Sequence, residues 1–232
     1  LDNDHATRIL GDSHALADNF GGDDVFDIAV KGLAGMQILG DHETGLGSSV
    51  GGADRFNLTI TQTGSEAIQL TGDVDLVGGG RDSAVYSGGD DFFFLTVRAA
   101  RTVTIHGDGR VVQSLGSLFG GDDLMSISQT TAHLSGHMIG DVAEVARGGI
   151  VFGGRDSIGG AGLMVGDVDV LDLGTVYGGH DYLYAGVGTP GQINQLVGDI
   201  PVLGQNATAE TIVRCGNDRL YGGEGDDVIS GN

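Results

Sequence analysis

Two glycine–aspartate corners alternate along the whole chain, and this alternation restricts the possible folds more than any other feature. One corner reads Gly-Gly-x-Asp. It occurs at Gly21-Gly22-Asp23-Asp24, Gly51-Gly52-Ala53-Asp54, Gly79-Gly80-Arg81-Asp82, Gly88-Gly89-Asp90-Asp91, Gly120-Gly121-Asp122-Asp123, Gly153-Gly154-Arg155-Asp156 and Gly178-Gly179-His180-Asp181. The other reads x-Gly-Asp after a mostly apolar stretch, with its aspartates at Asp12, Asp41, Asp73, Asp108, Asp141, Asp167 and Asp199. Successive aspartates of this second set stand 26 to 35 residues apart, most near 32. A period of that size is the mark of a stacked array in which each unit buries its apolar face against the next. The chain therefore reads as about seven units in one domain spanning residues 1–232.

The residue types say what the corners are for. Paired glycines let the backbone take turns that a side chain would block. Such turns expose carbonyl oxygens, and the aspartate adds a carboxylate. Two residues on, an apolar or small side chain enters a strand and points inward: Phe26, Phe56, Ala84, Phe93, Met125, Ile158 and Leu183. Stacked strands lie about 4.8 Å apart. Two carboxylates at that separation repel by about 3–4 kcal/mol at an effective dielectric near 20. A hard cation with many oxygen ligands removes the repulsion, and calcium accepts a flexible set of carboxylates and carbonyls. Aspartate after glycine is also an ordinary turn residue with no metal at all.

Strands are legible between the corners. Residues 56–61 and 101–105 alternate apolar and polar, the pattern of a strand buried on one face. The run Phe92-Phe93-Phe94-Leu95-Thr96-Val97 is dense enough to suggest burial on both faces, and residues 168–173 read as a further strand. The best helical stretch, residues 139–147, is interrupted by Gly140-Asp141. The expected fold is all-β, a parallel β-roll or β-helix, with almost no helix.

Composition excludes several classes of function. The net charge is −21, with 32 acidic residues against 11 Lys and Arg and a single lysine, Lys31. Such a chain repels nucleic acid and anionic membranes. No apolar stretch is long enough to span a bilayer. Cys215 is the one cysteine, so no internal disulfide framework exists. The opening residues do not read as a signal peptide. They also lack methionine, as in a processed chain or a piece of a longer one.

The last stretch carries a more specific pattern. Residues 222–230, Gly-Gly-Glu-Gly-Asp-Asp-Val-Ile-Ser, fit the nonapeptide G-G-x-G-x-D-x-U-x at every fixed position, and residues 213–221 carry Gly216, Asp218 and Leu220 at the matching places. The chain thus resembles the RTX, or hemolysin-type, calcium-binding repeat family. That resemblance implies a parallel β-roll with calcium held between turns. Carried over position by position, it implies metal ligands at Asp24, Asp54, Asp82, Asp91, Asp123, Asp156, Asp181, Asp218 and Asp227, joined by Gly222, Glu224 and Asp226 of the terminal nonapeptide. It also implies export unfolded by a one-step (type I) secretion route and folding in extracellular calcium. The chain departs from the family where the corners lack the first glycine pair and recur nearer 30 residues than 18. Gly159-Gly160-Ala161-Gly162 begins a repeat without its aspartate. Fewer ions than aspartates are expected, with the clearest sites at Asp218–Asp227 and Asp82–Asp91.

Other motifs carry less. Gly47-Ser48-Ser49-Val50-Gly51 matches G-x-S-x-G, but a Gly-Gly-x-Asp corner follows where a nucleophile elbow needs a helix. His133 and His137 lack the glutamate and the helix of a zinc motif. The expected function is non-catalytic: a secreted, calcium-stabilised scaffold of a surface layer, matrix, filament or adhesin, able to associate head to tail. The alternatives are a repeat module of a larger secreted enzyme or toxin, and a module that binds an extracellular glycan.

Overall fold

The structure is a computed structural model that describes residues 2–3, 7–12, 16–17, 20–32, 35–61, 67–80, 82–98, 102–129, 135–186, 193–203, 211–223 and 226–231. Among these residues there is no helix, and the chain winds through four parallel sheets of six to eight strands. Each coil contributes one strand to each sheet, except that the first coil reaches sheet three only through an isolated bridge from Phe20 to Val50. In a central coil, Thr102–His106 lies in sheet one, Gly109–Val112 in sheet two, Gly116–Phe119 in sheet three and Leu124–Gln129 in sheet four. Every interior strand pairs in parallel with its counterparts one coil before and one coil after; in sheet four, Phe93 stands beside Phe56 on one side and Met125 on the other. This is the expected β-solenoid.

The side-chain pattern explains the layers. Inward positions of sheets one and four form one core, which includes Phe56, Phe93, Ile68, Ile105, Met125 and Leu183. Phe26, Phe56 and Phe93 stack in a file, with ring centroids 4.8 and 4.5 Å apart. Inward positions of sheets two and three form a second core around Val74, Tyr86, Val112, Leu118 and Val142. The cores do not merge. Between them the two kinds of glycine–aspartate corner face each other and make a polar waist.

Corner lengths follow the same division. In the five central coils the corner from sheet one to sheet two is a Gly-Asp pair, as at Gly107-Asp108 between His106 and Gly109, and in the last coil it extends from Gly198-Asp199 to Pro201. The corner from sheet three to sheet four always takes four residues, as at residues 120–123 between Phe119 and Leu124. The two outer corners vary. Val77 and Ala84 bound a longer connection than Val112 and Gly116.

Two expectations need correction. The dense run Phe92–Val97 is buried on one face only: Phe93, Leu95 and Val97 point inward, while Phe92 and Phe94 are 38% and 37% exposed. The outer face of sheet four has no second layer to bury them, and Arg55 lies over the Phe94 ring instead, 5.4 Å from its centre. The corner glycines of the waist do not adopt the left-handed conformation either; among the described residues it is confined to Gly47, Gly78, Gly79, Gly148, Gly162 and Leu115. Their reason is close approach, as the site geometry makes clear. The helical candidate at residues 139–147 holds a strand, Val142–Val145, because Gly140-Asp141 forms a corner.

Candidate metal centres

The waist is built from two ladders of aspartates. The Gly-Gly-x-Asp corners supply Asp24, Asp54, Asp91, Asp123, Asp156 and Asp181, and the equivalent corner Cys215-Gly216-Asn217-Asp218 supplies Asp218. The backbone N–H of each of the first six donates to Oδ1 of the next coil's aspartate, at 2.7 Å from Asp54 to Asp91 and from Asp91 to Asp123, and 3.0 Å from Asp181 to Asp218. The Gly-Asp corners supply Asp12, Asp41, Asp73, Asp108, Asp141, Asp167 and Asp199. Each of these accepts an N–H from the second glycine of the facing corner, as from Gly52 to Asp41 at 2.7 Å and from Gly121 to Asp108 at 2.9 Å.

Glycine is required because the carboxylates fill the space of its missing side chain. A Cβ on Gly72 would collide with Oδ2 of Asp91 and the carbonyl oxygen of Gly107. A Cβ on Gly107 would collide with Oδ2 of Asp123 and the carbonyl of Gly140. The facing corner repeats the arrangement: Gly88 is pressed by Asp108, Gly120 by Asp141 and Gly153 by Asp167. Each corner thus cradles the other corner's carboxylate, and glycine carbonyls crowd the same places.

Hydrogen bonding satisfies only part of this array. Twelve of the fourteen aspartates, all but Asp12 and Asp218, keep one buried oxygen with no hydrogen-bond partner. No ion pair among the described residues reaches a waist aspartate. Unpaired buried charge is expensive, and the titration behaviour follows. Burial first, with neighbouring carboxylates adding to it, raises Asp54 to about 8 and Asp41 to about 6. Burial raises Asp181 to about 7, with Asp218 and Asp199 pushing the same way. Burial holds Asp73, Asp91, Asp108, Asp123, Asp141, Asp156 and Asp167 well above the ordinary carboxylate range. Asp41 faces Asp73, and Asp108 faces Asp141, closely enough for one proton to bridge each pair. Only a proton or a cation can neutralise such groups. The donor set of the two ladders is carboxylate and peptide oxygen in nearly every coil, with His180 and Cys215 the imidazole and the thiol among the corner residues, and that set suits a hard divalent cation. At the first coil, one oxygen each from Asp12, Asp24 and Asp41 lies within 4.8 Å of the others.

Most of the residues expected as ligands meet here, and some do not. Asp24, Asp54, Asp91, Asp123, Asp156, Asp181 and Asp218 form the first ladder. Asp82 is exposed on the outer corner between sheets two and three, away from the waist. Asp227 lies in sheet one, where Nδ2 of Asn194 donates to its Oδ1 at 2.9 Å. Asp226 is exposed in the same strand, Gly222 is exposed before it, and Glu224 lies outside the described residues. The pairs Asp82–Asp91 and Asp218–Asp227 therefore do not stack. Here a coil takes some 25 to 37 residues, so residues nine apart sit at different places on one coil.

The second ladder was the missed half of the site. Its signal was present in the sequence, because its aspartates share the period of the first set and follow glycine. Ser49 of the G-x-S-x-G match is buried in a sheet-three strand with no helix after it. His137 lies 3.2 Å from Asp169 on the outer surface, and His133 lies outside the described residues. No helix among the described residues is long and apolar enough to cross a membrane. No protein-family model, no curated protein and no solved structure matches the chain.

Proposed function

We propose that the chain is a non-catalytic, calcium-binding β-solenoid that works as a scaffold outside the cell and draws its folding stability from cations held in the waist. The twelve buried carboxylate oxygens without partners carry this reading. Left ionised and empty they oppose folding; coordinated, they join all seven coils. Calcium is the favoured cation because it accepts six to eight oxygens in irregular geometry, whereas magnesium demands a near-ideal octahedron. Millimolar extracellular calcium would fill such sites, and the RTX-like terminal repeat points the same way. Both ladders contribute ligands, so each ion binds across the waist and not on one turn.

The test is a calcium titration of chelator-treated protein at neutral pH, followed by far-UV circular dichroism, with bound metal counted by elemental analysis. The expected result is a calcium-dependent gain of β-structure, several ions per chain, and no equal effect from magnesium. Full β-structure in chelator, with a melting temperature indifferent to calcium, would overturn the reading.

A further inference from the structure

We propose that the outer face of sheet four carries a binding site for an acidic oligosaccharide, seated over Ser157 and Gly159. The strand Ser157–Gly160 turns only Ser157 and Gly159 outward, so a trough opens where neighbouring strands carry larger groups. In register, Ser157 stands between Leu124 and Tyr182, and Gly159 stands between Ser126 and Tyr184. One wall is aromatic. Tyr182, Tyr184 and Tyr221 are 43%, 48% and 47% exposed, and Tyr182 leans on Tyr221 with centroids 5.1 Å apart. Two clefts lie end to end along this strand. One, of about 530 Å³, is lined by Arg155, Ser157, His180, Tyr182, Asn217 and Arg219. The other, of about 400 Å³, is lined by Ser126, Ser128, Gly159 and Tyr184. Both volumes fall in the range of small-molecule sites.

The charge of the larger cleft selects the occupant. Two of the chain's 11 Lys and Arg residues converge there. Neither guanidinium makes an ion pair among the described residues. The cleft also touches Asp156 and Asp181, but both are buried, and their carboxylates accept backbone N–H groups of the waist from Asp123 and Asp156. The exposed Asp122 nearby accepts the backbone N–H of Arg155. His180 Nδ1 accepts the Asn217 N–H at 2.9 Å, which leaves the proton of the neutral ring on Nε2 as a donor. A pyranose ring has apolar C–H faces and a polar rim. It fits an aromatic wall above a small-residue floor, with serine and asparagine at hand for its hydroxyls. A carboxylate on the sugar gives the two arginines a planar, bidentate partner. Two clefts in line accommodate two or more linked units. The larger pocket is cationic although the chain as a whole is not, and charges beyond about 8 Å are screened at physiological salt.

The experiment is isothermal titration of the full chain at fixed millimolar calcium with a tetragalacturonate, and with a neutral tetrasaccharide of the same size. The acidic sugar is expected to bind at least tenfold more tightly than the neutral one. Arg219→Ala and Tyr182→Ala should each weaken it at least tenfold with the circular dichroism unchanged, while Phe94→Ala, on the same face outside the cleft, leaves it alone. No heat at millimolar sugar overturns the proposal, as does equal binding of the neutral sugar. Binding that survives both substitutions also overturns it, since calcium bridging to surface carboxylates would behave that way. None of these outcomes depends on whether calcium drives folding.

Discussion

At the scale of single residues, the waist works because a glycine and a carboxylate occupy one volume. Gly107 illustrates the constraint, with Asp123 and the Gly140 carbonyl in the place of its side chain. Gly107→Ala should destabilise the protein by about 3 kcal/mol or more, since overpacking a rigid site already costs about 1–3 kcal/mol and here it also displaces a ligand oxygen. Chemical denaturation in calcium would measure this. The aspartates make a second prediction, in pH. Their folded-state values are raised, to about 6 for Asp41, about 7 for Asp181 and about 8 for Asp54. Between the ordinary carboxylate value near 4 and these values, the folded state binds more protons than the unfolded state. Metal-free protein is therefore expected to be most stable near pH 4 and to lose stability as pH rises toward 8. Calcium should reverse the trend and release protons as it binds. Melting temperatures across pH 4–8, with chelator and with calcium, would show the two slopes; parallel slopes would refute the linkage.

At the scale of elements, strands were easier to read than the site they position. Sheet-four strands announce themselves in Phe56-Asn57-Leu58-Thr59-Ile60, where alternation matches a sheet with one wet face. Phe92-Phe93-Phe94 misled because composition cannot say whether a second layer covers a face. A paired substitution separates the two roles. Phe93→Ala removes a fully buried ring from the aromatic file and should cost about 3–5 kcal/mol. Phe94→Ala removes an outward ring under Arg55 and should cost less than about 1 kcal/mol. Thermal unfolding of both variants would check this. The first aspartate ladder was legible because Gly-Gly-x-Asp is distinctive. The pairing of that ladder with the Gly-Asp corners was not, because it depends on two cores closing from opposite sides. The terminal nonapeptides misdirected the assignment of Asp227 for a related reason: a nine-residue step stacks only in a coil of 18, and these coils are longer.

At the scale of the whole molecule, two apolar cores flank a file of carboxylates, with fourteen of the 32 acidic residues in it. Those fourteen account for two-thirds of the net charge of −21. Ions bound there would be shut away from solvent along most of the file, so their release should follow opening of the fold. Protein loaded with terbium and then challenged with excess chelator is expected to lose luminescence no faster than it loses β-structure. Rapid loss with the circular dichroism intact would place the ions at the surface. The unequal corners bear on how such a chain can change. Inner corners hold their length in coil after coil, while outer ones range widely without disturbing register. Lengthening a surface connection costs little closure entropy. A foreign peptide grafted between the exposed Asp82 and Ser83 should therefore be displayed by an intact fold, whereas one residue inserted between Gly107 and Asp108 would throw every later carboxylate out of step.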